Sequence, residues 1–281
     1  MEPDGFLGHS SGEILCAYAD GCLSREETLL VCEARGRAFL EAKPQPGAMA
    51  SVGLAWEEVK ARCPPGIYAA CNNSATNVSV SGPGNAIRDF VKLLKSEGIF
   101  AREVDSCGIA PHSKYVGNAP ELMTKFMTEI CPVPKPRSAK WISSSIPESE
   151  WETHPLAKFS SADYHANNLL QPVLFYEALQ HAPSDAVVVE VAPQGYFQGL
   201  LKESLPKCTH VAPMSSSAQN KASFFLNSIG KLYNAGVDVN VLNLHSTVSY
   251  PVPANTPCLS PLVAWRHDNS WSTSVVTYPK V

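Results

Sequence analysis

The feature that most constrains this chain is Gly8-His9-Ser10-Ser11-Gly12, a G-x-S-x-G pentapeptide at its start. The pattern describes a sharp strand-to-helix turn that pushes a serine hydroxyl out of the backbone and leaves the next N–H free to meet a developing oxyanion. Only Ser10 has glycine at both −2 and +2, so the register selects Ser10 and not Ser11. Phe6-Leu7 is suited to end a strand before the turn. Glu13 to Ala19 reads as a helix directly after it.

Such an elbow needs a sheet beneath it, yet very little chain precedes this one. The expectation is an N-terminally incomplete piece of a larger α/β domain.

Composition limits the classes to be considered. A chain of 281 residues can bury a substantial core. Hydrophobic content of 44% and charged content of 17% fit a globular protein. The net charge of −4 gives no electrostatic reason to expect nucleic acid or an anionic membrane surface as partner. No apolar run is long enough for a membrane span. The nine cysteines form no C-x-x-C pair, which suits reduced thiols and a cytoplasmic setting and implies no metal site.

The order of elements predicts an α/β fold. Ser24 to Glu27 is a capping box opening a helix that reaches Ala42, with Leu29, Leu30, Cys32, Ala38, Phe39 and Leu40 as its apolar positions. Residues 48–104 read strand, helix, strand, strand, helix, strand, the ferredoxin-like βαββαβ order. We therefore expect a body formed by residues 1–47 and 105–238, with the ferredoxin-like subdomain 48–104 inserted in it. Within the body, Ala186 to Val191 is an apolar run suited to a buried parallel strand. Residues 239–281, punctuated by Pro251, Pro253, Pro257 and Pro261, read as an extended linker segment.

A serine nucleophile needs a base. His9 lies inside the elbow, where it shapes the pocket. His112, in Gly108 to Ser113, falls where the inserted unit returns to the body and is the stronger candidate. His154, His165, His181, His210, His245 and His267 have no comparable context. Arg35 offers a planar fork for a carboxylate, with Arg37 two positions on as the solvated comparison. Asn167-Asn168 reads as a polar pair at a helix start.

Gly8 to Glu13, Arg35, Ala110-Pro111-His112-Ser113 and Asn167 to Phe175, in that order, resemble the malonyl/acetyl acyltransferase domain of animal-type fatty acid synthase. The likeness extends through Tyr18 to Ser24, Pro46 to Ala50, Lys135 to Ala139 and Ser144 to Pro147. It reaches Ser260 to Trp265, which resembles the segment joining that domain to the next.

The resemblance implies an α/β-hydrolase-like body with a parallel sheet, and roles residue by residue. Ser10 would attack the thioester of malonyl-CoA or acetyl-CoA with His112 as general base, oriented by the backbone carbonyl of Asn168. Ser11 would give an oxyanion N–H, Arg35 would pair with a malonyl carboxylate, and His9 and Pro111 would line the acyl site. No permanently bound cofactor is implied. The acceptor would be the phosphopantetheine thiol of an acyl carrier protein, with ketosynthase and dehydratase domains as neighbours. Departures from the family pattern are the lack of an upstream glutamine oxyanion loop, Ser11 in place of a bulkier residue, Pro111 in place of phenylalanine, and Gln194 where histidine often stands.

Three other readings compete. A polyketide synthase acyltransferase shares the same dyad and arginine. A serine hydrolase or thioesterase of α/β-hydrolase type would place its histidine late, whereas His112 is in the first half of the chain. A catalytically silent scaffold has no reason to retain Ser10, His112 and Arg35 together.

Overall fold

The computed structural model describes residues 2–244 and 250–270. His245 and the predicted linker residues 245–249 and 271–281 lie outside the described residues. The chain divides into two units, Met1–Val239 and Asn240–Val281.

The first unit begins with strand β1 (Phe6–Leu7), helix α1 (Gly12–Ala19) and helix α2 (Arg25–Ala42). The capping box forms: Ser24 Oγ accepts from the Glu27 N–H, and the Glu27 carboxylate accepts from the Ser24 N–H. The next six elements are β2 (Gly47–Val52), α3 (Trp56–Arg62), β3 (Tyr68–Ser74), β4 (Asn77–Pro83), α4 (Gly84–Ser96) and β5 (Ala101–Val104). Their strands form one antiparallel sheet in the order β3-β4-β2-β5, the ferredoxin-like arrangement. Ile87, Phe90, Val91 and Leu94 of α4 pack on Ala50, Val52, Val78 and Val80 of that sheet, so this subdomain has a core of its own.

The body continues with α5 (Ala119–Ile130), β6 (Lys135–Pro136), β7 (Trp141–Ile142), β8 (Phe159–Ser160), α6 (Ala162–Leu170) and α7 (Phe175–Leu179). It ends with β9 (Val187–Val189), α8 (Gln198–Ser204), β10 (Thr209–Val211) and α9 (Lys221–Asn234). β1 pairs in parallel with β7, and β9 in parallel with β10, while β6 and β8 pair antiparallel. The architecture is α/β.

Three expectations are corrected. The buried stripe of α2 is Thr28, Val31, Ala34, Arg35 and Ala38, while Leu29, Leu30 and Leu40 are exposed. The helix is oriented by packing Val31, Ala34 and Ala38 with Met123, Phe126 and Met127 of α5, and that rotation faces Arg35 inward. Second, β9 is only half-buried and Val191 is exposed, because β10 is its sole strand partner among the described residues. Third, Asn167 and Asn168 lie in the last turn of α6, whose start is capped by Ser161 accepting from the Tyr164 N–H. Pro172 follows directly on its C-cap, Gln171.

The second unit contains two short 3-10 turns, Val241–Leu244 and Ser260–Leu262. Among the described residues, no helix is long and apolar enough to cross a membrane.

Candidate active site

β1, the turn at Ser10 and α1 make the strand–turn–helix that the pentapeptide requires. Ser10 sits at φ 54°, in the left-handed region that costs a non-glycine residue of order 1–3 kcal/mol. The tight turn is closed by Gly12 N–H donating to His9 O at 2.9 Å and Glu13 N–H to Ser10 O at 3.1 Å. A Cβ at Gly8 would lie 2.5 Å from the Glu13 nitrogen, so no side chain fits there. A Cβ at Gly12 would meet nothing within 4 Å. Only the first glycine of the motif is therefore sterically demanded.

The strain is held by Glu13, which is fully buried. Its carboxylate accepts from Trp141 Nε1 (2.7 Å), Ser144 N (2.8 Å), Ser144 Oγ (2.8 Å) and Tyr164 OH (2.6 Å). Ser144 Oγ also lies 2.6 Å from Gly8 O. The elbow is thus fastened to β7 and to α6 through one carboxylate.

His112 reaches the elbow from the loop after β5. Gly47 N–H donates to Gly108 O at 2.8 Å, and a Cβ at Gly47 would lie 2.5 Å from that of Ala110, so β2 and this loop touch with no space between them. His112 itself has φ 58°, and its N–H donates to Leu169 O at 3.2 Å. Ser10 Oγ and His112 Nε2 are 2.7 Å apart. His112 Nδ1 is 2.9 Å from Gln171 O. A carbonyl only accepts, so Nδ1 carries the proton and Nε2 is bare to receive the serine hydroxyl. Burial, then the positive charge of Arg35, pushes the His112 pKa down to about 3, so the ring is a neutral base.

The orienting carbonyl belongs to Gln171, not to Asn168 as expected; Asn168 O is only a lesser influence on the ring. The carbonyls of a last helical turn point along the helix axis. Gln171, the C-cap of α6, is extended (φ −79°, ψ 159°), which turns its carbonyl aside toward the imidazole.

Arg35 points into the same site from α2. It is 9% exposed and forms no salt bridge among the described residues. Nη1 donates to Asn168 Oδ1 at 3.0 Å and Nη2 to Ser10 Oγ at 3.5 Å. Burial lowers its pKa to about 10, which leaves it cationic. Arg37, by contrast, is exposed, pairs with Glu41 and lies over the Phe126 ring. Ser11 is the N-cap of α1, so its N–H has no intrahelical acceptor.

His9 Nε2 donates to Asn73 Oδ1 at 2.9 Å, because the Asn73 amide already donates to Asn77 and Ser79. The His9 ring packs beside Phe175 and Phe197, and burial holds its pKa below the ordinary value. Pro111 sits directly before His112 and is half-buried. The site therefore gathers Ser10, Ser11, His112, Arg35, His9 and the side chain of Asn168.

The acyl transferase domain family matches residues 1–239 of the chain. The chain belongs to this family. Curated relatives of this acyl transferase domain include the highly reducing polyketide synthase sphB of Aspergillus fumigatus, 32% identical over 96% of the chain and 11% of that protein. Highly reducing polyketide synthase 40 of Fusarium pseudograminearum is 34% identical over 73% of the chain and 9% of that protein. The chain thus spans about a tenth of the length of these relatives. Among solved structures, the loading acyltransferase of the avermectin modular polyketide synthase has a TM-score of 0.70 at 24% identity, over 83% of this chain and 73% of that one. The acyltransferase domain of the iterative polyketide synthase in enediyne biosynthesis has a TM-score of 0.67 at 22% identity, over 87% and 63%. These likenesses establish the fold.

Sequence reasoning on the acyl transferase domain missed Glu13, Gln171 and Asn73 as site-building residues. Glu13 and Gln171 stood inside the motif strings. A glutamate directly after the elbow, next to an apolar helix, was the available signal. Asn73 carried none.

Proposed function

We propose that this domain transfers an acyl group from a CoA thioester to the phosphopantetheine thiol of an acyl carrier protein by way of a Ser10 ester. One observation carries the reading: a serine–histidine pair at 2.7 Å lies beside a buried arginine that has no carboxylate partner among the described residues. As Ser10 Oγ forms its bond to the thioester carbon, its proton passes to His112 Nε2. The carbonyl electron pair moves onto oxygen, where the Ser11 N–H receives it. Collapse breaks the C–S bond, and the departing CoA sulfur takes the proton from His112. The carrier thiol repeats the sequence in reverse. Arg35 selects acyl groups that end in a carboxylate, which favours malonyl over acetyl.

The setting we infer is a multidomain synthase with a carrier protein and other synthase domains as partners. The names of the relatives favour a polyketide synthase. The strings from Gly8 to Glu13 and from Asn167 to Phe175 support the fatty acid synthase reading beside it. A hydrolytic role is less well supported, since a hydrolase has little use for a charged acyl subsite.

Brief exposure to malonyl-CoA followed by intact-mass measurement and peptide mapping tests the proposal. A malonyl adduct on Ser10 is expected. An adduct on another residue, or none on folded protein, would remove the transferase reading.

A further inference from the structure

The buried polar side chains behind Arg35 form a continuous chain. Tyr164 OH donates to Glu13 Oε2 (2.6 Å), so Ser143 Oγ donates to Tyr164 OH (2.8 Å). The Ser145 N–H donates to Ser143 Oγ (3.1 Å), and Asn168 Nδ2 to Ser145 Oγ (2.7 Å). Asn168 Oδ1 then accepts from Arg35 Nη1 (3.0 Å), and Arg35 Nη2 faces Ser10 Oγ (3.5 Å). Asn168 is 1% exposed, and Ser143 and Ser145 are each 3% exposed. The amide cannot be turned over, because its NH2 would then face the N–H of Arg35.

Asn168 therefore has two properties at once. Its oxygen fixes one edge of the guanidinium, which removes the freedom of a long side chain. It does so without a formal charge, so the cation is held in place but not neutralised. A carboxylate at the same position would form a buried ion pair with Arg35 and compete with any acyl carboxylate.

We infer that Asn168 is a specificity-determining positioning residue: its neutral amide holds Arg35 beside Ser10 with its charge open to the acyl carboxylate of the substrate. This rests on the transferase reading above. Among the described residues the Asn168 side chain hydrogen-bonds to Arg35 and Ser145, and not to Ser10 or His112.

The test compares wild type, Arg35→Ala, Asn168→Asp and Asn168→Ala, each confirmed as folded by circular dichroism and melting. Ser10 loading from malonyl-CoA and from acetyl-CoA is measured over a range of concentrations. Asn168→Asp is nearly isosteric, and the Ser145 hydroxyl can rotate to donate to it. The malonyl-over-acetyl ratio is expected to fall by about tenfold or more in Asn168→Asp, in the direction of Arg35→Ala and through the KM for malonyl-CoA, a loss of at least one charge-assisted hydrogen bond. Asn168→Ala, which loosens Arg35 but leaves it charged, is expected to fall in between. A ratio in Asn168→Asp equal to wild type, with Arg35→Ala lowered, overturns the role of Asn168 and leaves the reading of Arg35 intact. An unchanged ratio in Arg35→Ala overturns the carboxylate subsite, and this inference with it. Equal losses for both substrates in Asn168→Asp would make Asn168 merely structural.

Discussion

Nη2 of Arg35 lies 3.5 Å from Oγ of Ser10, so the buried cation and the nucleophile share one small volume although one stands on α2 and the other in the elbow turn before α1. The same charge bears on the base: Arg35 is the second cause, after burial, of the depressed pKa of His112. The guanidinium therefore bears on both the nucleophile and the base of this site.

That coupling has a pH signature. Removing a positive neighbour makes protonation of His112 easier, so its pKa rises. In Arg35→Ala the acid limb of the rate profile for acetyl loading should move to higher pH. A profile superimposable on wild type would show that the guanidinium does not act on the imidazole.

His112→Ala should slow acylation of Ser10 by about two to four orders of magnitude, the range for a positioned general base. Stopped-flow release of CoA thiol measures it. Substitution of Gln171 should have little effect, since its backbone oxygen, not its side chain, holds Nδ1.

Glu13→Gln should destabilise the fold by about 3 kcal/mol. The amide replaces one acceptor oxygen with a donor, while Trp141 Nε1, Tyr164 OH and the Ser144 N–H need acceptors. Denaturant unfolding checks it, and a midpoint equal to wild type would contradict the anchoring role.

The two glycines of the elbow should respond differently. Gly8→Ala forces a Cβ into the α1 backbone and should abolish folding or loading. Gly12→Ala has open space at the first residue of α1 and should raise stability by up to about 1 kcal/mol, read as a higher melting temperature.

Acid should weaken the fold through its buried imidazoles. His112 and His165 are both pushed from 6.5 to about 3, mainly by burial. Below pH 6.5 the unfolded chain takes up protons that the folded one refuses until about pH 3. Stability is therefore fully present above 6.5 and falls as pH falls, by about 1.4 kcal/mol per pH unit for each ring. His165→Gln should lower that slope by up to about 1.4 kcal/mol per pH unit in urea titrations between pH 6 and 4.

The sequence by itself determined the elements whose cause is local. The elbow, the Ser24 capping box and the βαββαβ order follow from turn chemistry, capping and periodicity over a few residues. Ser10, His112 and Arg35 were legible because each stood in a short distinctive string. The tertiary structure alone decided which carbonyl orients His112, since Asn168 and Gln171 differ only in where α6 ends. It also decided which face of α2 is buried: the apolar Leu29, Leu30 and Leu40 pointed outward once packing against α5 turned the helix. The chain from Glu13 through Tyr164, Ser143, Ser145 and Asn168 to Arg35 joins residues from four separated segments. No local pattern encodes it, because each hydrogen bond exists only when the fold has removed water from between the partners.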